Sequence, residues 1–248
     1  VYKRQIFSRQ GRVFDANPAA IALTGYPLHQ LLDRPVLHLL PHVLRAEAQS
    51  LIDQGTEHAH ETRLLHHGGK ELDVEIAIHL LPEDGDTYGM LVLNDITERK
   101  RAEAEVYFLA NHDPLTRLPN RQGLMQQLRQ VLLQAERTQQ HIAVLYVDLD
   151  RFKDVNDSLG HDAGDKLLID AARRMRSKVH PDDLVARLGA DEYVVVLASP
   201  LTACQPDCIL RELRFALNKP YVLPKEAVNL PASIGVSIYP EDGSTAEE

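Results

Sequence analysis

Apolar and polar positions alternate most cleanly over residues 71–78, where Leu72, Val74, Ile76 and Ile78 interleave with Glu71, Asp73, Glu75 and Ala77. A period of two marks a strand with one face buried. Glu61 to His66 and Tyr88 to Asn94 read as its neighbours, joined by turns at Gly68-Gly69 and Glu83 to Asp86. Upstream, two short strands flank Gly11 between Ile6 and Phe14. Asn17-Pro18 then opens a helix, with Asn as N-cap and Pro in the first turn, and Gly25 is its natural stop. Leu28 to Leu32 predicts a second short helical piece, and Val36 to Ile52 a helix interrupted at Pro41.

The period then changes. Ala102, Val106 and Leu109 recur at helical spacing among charges through Thr97 to His112, a narrow stripe that suits pairing with a second copy or a solvated connecting helix. The prolines and Asn120 of residues 111–121 make a loop before an amphipathic helix, Gln122 to Arg137. Ile142 to Val147 reads as a buried strand that ends in Asp148 and Asp150. Asp162 to Lys178 predicts a strong helix, with Leu167, Leu168, Ala171, Ala172 and Met175 on one face and Asp165 in its first turn. Leu184 to Leu188 and Tyr193 to Leu197 form a hairpin tipped by Gly189-Ala190-Asp191-Glu192. A helix from about Cys208 to Leu217 and strands near Tyr221 and Ala232 to Ile238 follow. Strands and helices do not alternate simply, so the fold class is α+β.

The 248 residues, 44% hydrophobic and 25% charged, are enough for two domains, each with its own core. The net charge of −9 disfavours extended nucleic-acid binding but not a nucleotide accompanied by a cation. Two cysteines, Cys204 and Cys208, exclude a disulfide framework and an all-cysteine zinc site, and read as free thiols on one helical face. The sequence has no signal peptide and no apolar run near the roughly 18 residues of a membrane span, which places this segment in a reducing, cytosolic setting without membrane contact. Val1 to Gln5 has no clear structural role, and both ends read as cut.

The candidate chemistry lies at two strand ends. Asp148 and Asp150 close one apolar strand, and Asp191 and Glu192 open another. Hard divalent ions prefer oxygen ligands and leave positions open for phosphate, so the two clusters suggest a magnesium and phosphate centre. Each residue also has a plain structural use: the aspartates as caps, Asn156 in a turn, Asp165 against a helix dipole.

GRVFDANPAAIALTGYPLHQLLDRP and NDITERKRAE resemble the opening and exit of a PAS domain over residues 6–98. The resemblance implies an antiparallel sheet with flanking helices and a sensing or dimerising role, and it names no ligand. The domain has no cysteine for a flavin thiol adduct. A haem would need an axial ligand, for which His38, His42, His58 and His60 qualify only by type, and they read as surface histidines. Residues 99–112 would be a helical signalling linker.

From about residue 106 to the end, HDPLT, VDLDRFKDVNDSLGHDAGD and RLGADEY closely resemble the GGDEF family of diguanylate cyclases, with the domain itself expected over residues 113–248. The family implies a palm-type nucleotidyl-cyclase fold, two GTP condensed into cyclic di-GMP across a homodimer formed through PAS, linker and GGDEF domains, and magnesium or manganese. By that resemblance Asp148, the Leu149 carbonyl and Asp191 hold the metal, and Asp191 or Glu192 assists loss of the hydroxyl proton. Asn156 and Asp165 read guanine, while His161 and the backbone at Arg151, Phe152 and Lys153 complete the substrate site.

Three departures stand out. Ala190 replaces the signature's second glycine, which matters if that position needs positive φ or close approach of the nucleotide. This motivates an alternative, a catalytically inactive GTP-binding domain controlling a downstream output such as a phosphodiesterase. Tyr193 replaces the final Phe. His180-Pro181-Asp182-Asp183 stands where members carry an inhibitory Arg-x-x-Asp, so product feedback is not expected there, and the family's later phosphate-contacting Lys and Arg would fall beyond Glu248.

Overall fold

The computed structural model describes residues 4–9, 11–46, 48, 59–83, 86–198, 205–223 and 226–248. The chain divides into two compact units, Val1–Glu105 and Val106–Glu248.

In the first unit, β1 (Arg4–Arg9), β2 (Arg12–Ala16), β3 (His60–Leu65), β4 (Glu71–Glu83) and β5 (Asp86–Asp95) form an antiparallel sheet in the order β2-β1-β5-β4-β3. Arg4 and Gln5 pair with Leu93 and Val92. They are part of a strand rather than the roleless tail expected from sequence, and residues 1–3 lie outside the described ones. The alternation in β4 has the expected effect: Val74 and Ile76 are buried beside Ile6, Leu64, Leu91 and Leu93. Against this face pack α1 (Pro18–Thr24) and α2 (Leu28–Leu31), through Ala20, Leu23 and Leu31. Asn17 caps α1 by accepting from the Ala20 amide, and Gly25 ends it at φ 70°, where a Cβ would overlap His66.

The helix expected from Val36 is instead two 3-10 turns, Val36–Leu39 and His42–Leu44. Pro35 and Pro41, both extended, precede them, and neither supplies an amide to a longer ladder. Residues 47 and 49–52 of that expectation lie outside the described ones. Helix α3 (Thr97–Asn111) follows β5. Thr97 is tied to the sheet by the Asp95 carboxylate at 3.0 Å and the Asp73 carbonyl at 3.4 Å.

The second unit is three layers deep. β6 (Ile142–Leu149), β7 (Leu184–Arg187), β8 (Glu192–Leu197) and β11 (Ala232–Tyr239) form an antiparallel sheet in the order β11-β6-β8-β7. Successive side chains leave opposite faces. Ala143, Leu145, Val147, Val195 and Leu197 therefore join a core with Leu167, Ala171 and Met175 of α6 (His161–Arg176) and Leu213 and Leu217 of α7 (Gln205–Leu217). Val144, Ala186, Val194 and Val196 meet Leu124, Leu128 and Ala135 of α4 (Arg121–Thr138) on the other face. Burial on both faces explains why β6 and β8 read as continuous apolar runs.

Helix α5 (Phe152–Leu159) follows β6, and a small ribbon of β9 (Tyr221–Val222) and β10 (Ala227–Val228) follows α7. Cys208 is an exposed free thiol on α7, and Cys204 lies outside the described residues. No helix among the described residues is long and apolar enough to cross a membrane.

Candidate active site

The site grows from the register of β6 against β8. Tyr146 pairs with Val194 and Asp148 with Glu192, one step before the β8 strand turns away. The Leu149 amide then donates to the Asp191 carbonyl at 3.2 Å, so the tip of the β7–β8 hairpin is bonded to the end of the central strand. Asp148, Leu149, Asp191 and Glu192 are thereby brought to one edge of the sheet.

This edge is electrostatically uncompensated. Burial, followed by the neighbouring charges of Asp191, Asp150 and Glu192, pushes the Asp148 carboxyl above the usual aspartate value of 3.8. Asp150 accepts a 2.7 Å hydrogen bond from the Ser233 hydroxyl of β11. Among the described residues, no three His, Cys, Asp or Glu side chains form a metal-holding cluster. A cation here would draw on two carboxylates, a backbone carbonyl and oxygens of the substrate. Crowded hard-oxygen donors of one charge fit a hard divalent ion.

Helices α5 and α6 supply the second part. Gly164 packs so closely on Asn156 that a Cβ at 164 would overlap the Asn156 amide oxygen. That oxygen is buried and accepts no hydrogen bond. An unsatisfied buried acceptor costs on the order of 1–3 kcal/mol. Asp165, the residue after Gly164, is exposed on α6. Arg151 precedes α5 in the left-handed region, at φ 62°, and its guanidinium turns back to Asp154 at 2.9 Å. Phe152 is buried in the core, whereas Lys153 is exposed; the Asp150 amide is already committed to the Pro231 carbonyl. His161 opens α6 and is exposed.

Two contacts were not read from the sequence. Arg187, 11% exposed, donates to the Asp113 carboxylate at 3.0 Å and to the Ala190 carbonyl at 2.8 Å. Burial opposes ionisation of Asp113, but hydrogen bonds from Thr116 and Arg187 outweigh it and hold the carboxyl below its ordinary range. The HDPLT loop is thus pinned to the acidic tip. Tyr146, two residues before Asp148 and on the same face, lies near the Glu192 carboxylate; burial first, and then that neighbouring acid, raise its phenol. Period-two spacing back from Asp148 was the available signal for Tyr146.

The departures also resolve. Ala190 is exposed and is not among the residues of positive φ, so its Cβ brings no backbone strain. Tyr193 is fully buried and its hydroxyl donates to the Leu168 carbonyl at 2.9 Å, a tie from β8 to α6 that Phe cannot make. Asp183 is 2% exposed and its two carboxylate oxygens accept from the His180 and Ala198 amides, each at 2.9 Å, so that turn is internally occupied.

Residues 110–248 match the family described as diguanylate cyclase, GGDEF domain, and residues 6–98 match the PAS domain family. An uncharacterized signaling protein of Caulobacter vibrioides is 36% identical over 99% of this chain and 30% of its own length. The probable diguanylate cyclase DgcE of Escherichia coli is 33% identical over 94% of this chain and 22% of its own. The chain thus spans under a third of the length of these relatives. Among solved structures, the GGDEF domain of TpbB from Pseudomonas aeruginosa is 39% identical, with a TM-score of 0.52, covering 55% of this chain and 80% of that one.

Proposed function

The chain belongs to the GGDEF family of diguanylate cyclase domains, here preceded by a PAS domain, and from that premise we propose that it condenses two GTP into cyclic di-GMP under PAS control. The observation that carries this reading is the bond from the Leu149 amide to the Asp191 carbonyl, which sets the acidic tip against the acidic end of β6. Each 3′-hydroxyl attacks the α-phosphorus of the other GTP. Two phosphodiester bonds form and two pyrophosphates leave.

Asp148, the Leu149 carbonyl and Asp191 are the residues that would hold magnesium or manganese. When bound, such an ion neutralises phosphate charge and eases deprotonation of the hydroxyl. Glu192, beside Tyr146, accepts that proton. Asn156 and Asp165 are the residues that would read the donor edge of guanine, a pairing that adenine does not satisfy. The Phe152 and Lys153 amides in the first turn of α5 face phosphate oxygens.

One domain holds one GTP, so turnover needs two copies. On α3, Val106 and Leu109 are 67% and 52% exposed, an apolar stripe uncovered in a single chain and suited to a matching helix. No observation favours the inactive alternative, because Ala190 is unstrained. The test is incubation of the intact protein with magnesium and either GTP or ATP. Cyclic di-GMP from GTP alone is expected, and GTP binding without product would overturn the cyclase reading.

A further inference from the structure

The first unit encloses a cavity of about 290 Å³ beneath the two 3-10 turns. This is near the lower end of small-molecule pockets, which run to about 300–1,000 Å³, so its size favours a compact occupant. The wall is mostly aliphatic, from Val36, Leu39, Leu40, Ile76 and Leu91. Its polar lining residues include Glu61, Thr62, Arg63, Asp73 and Lys100, and one more presents a buried atom with no partner. His60 lines the cavity, and its Nε2 is buried without a hydrogen-bond partner. Of the four histidines that read from sequence as surface residues, His38 and His42 are exposed and His58 lies outside the described residues, whereas His60 is not exposed.

The charges at the cavity are already matched. Lys100 binds Glu61 at 3.1 Å and Asp73 at 3.5 Å, Arg99 binds Glu61 at 2.7 Å, and Arg63 binds Glu71 at 2.7 Å. Among the described residues that line the cavity, both basic side chains, Arg63 and Lys100, are ion-paired, and Glu61 and Asp73 would repel an anionic head group. An imidazole nitrogen donates or accepts according to its tautomer, and a hydroxyl answers either.

We propose that this cavity binds a compact uncharged amphiphile, its aliphatic part among the leucines and its hydroxyl on His60 Nε2. The proposal rests on reading the PAS unit as the controlling module, and it supplies the ligand class of that module.

Isothermal titration of the intact protein with 1-octanol and with octanoate, without GTP, tests it. Saturable binding of 1-octanol is expected, with octanoate at least tenfold weaker. His60→Leu should lose about tenfold in 1-octanol affinity, the worth of one hydrogen bond to a buried group. Ala48→Phe, which adds a ring to the cavity wall, should abolish binding. Octanoate binding as tightly as 1-octanol, no 1-octanol binding, or full affinity in either variant would overturn the proposal. If His60→Leu does not fold, the alcohol-to-carboxylate ratio and Ala48→Phe decide. Failed binding with intact cyclic di-GMP synthesis sinks the ligand class alone.

Discussion

Both units carry a cluster of acids at the edge of a sheet, and the two behave in opposite ways. In the first, hydrogen bonds from Lys100 and then Arg99 hold Glu61 below its ordinary carboxyl value. In the second, burial and then Asp191, Asp150 and Glu192 push Asp148 above it. Acids matched by cations within the chain hold structure together. Acids left to repel one another favour a positive charge from outside, and this distinction, more than the number of carboxylates, is what supports the role proposed for the second cluster.

Asp148→Asn puts the contrast under the greatest strain. Loss of one charge that steadies the transferring phosphate should lower cyclic di-GMP synthesis on the order of a thousandfold, while thermal stability holds or rises. A melting temperature that drops along with turnover would show that the cluster is structural after all. The pH dependence follows the same sign. The folded protein binds the Asp148 proton more tightly than the unfolded chain, so this group's stabilisation is present below the ordinary value of 3.8 and is lost as pH rises through the raised one. Melting of metal-free protein across that window should show the decline, and Asp148→Asn should flatten it.

Arg187→Ala removes a matched partner inside the second unit and should cost about 3 kcal/mol in chemical denaturation, because Asp113 is left charged and mostly buried. Tyr193→Phe deletes only the hydroxyl bond to Leu168 and should cost about 1 kcal/mol, with turnover retained. Glu61→Gln ranks last. Its surface ion pairs are screened by salt, so melting at physiological ionic strength should barely move.

The strands and helices were legible wherever one or two faces are buried, because burial imposes a period. The alternation in β4, the doubly buried β6 and β8, and the cap at Asn17 all follow from local chemistry. Val36 to Ile52 misled because its apolar spacing suits a helix, while Pro35 and Pro41 restrict the backbone to short turns. The acids at Asp148 and Asp191 were visible as types, but their meeting depends on the pairing of strands more than 40 residues apart, which no local pattern encodes. Asp113 and Arg187 stood in noted motifs without a role for the same reason. The weight of Ala190 turned on a backbone angle, a quantity that sequence poses as a question and only coordinates answer.

Arg187 grips the Asp113 carboxylate and the Ala190 carbonyl with two arms of a single planar group. The chain entering the second unit and the loop bearing Asp191 are therefore joined by a rigid strut. Loss of that one guanidinium would therefore release both segments together, whereas loss of the Asp113 carboxylate alone would leave the Ala190 carbonyl still bound.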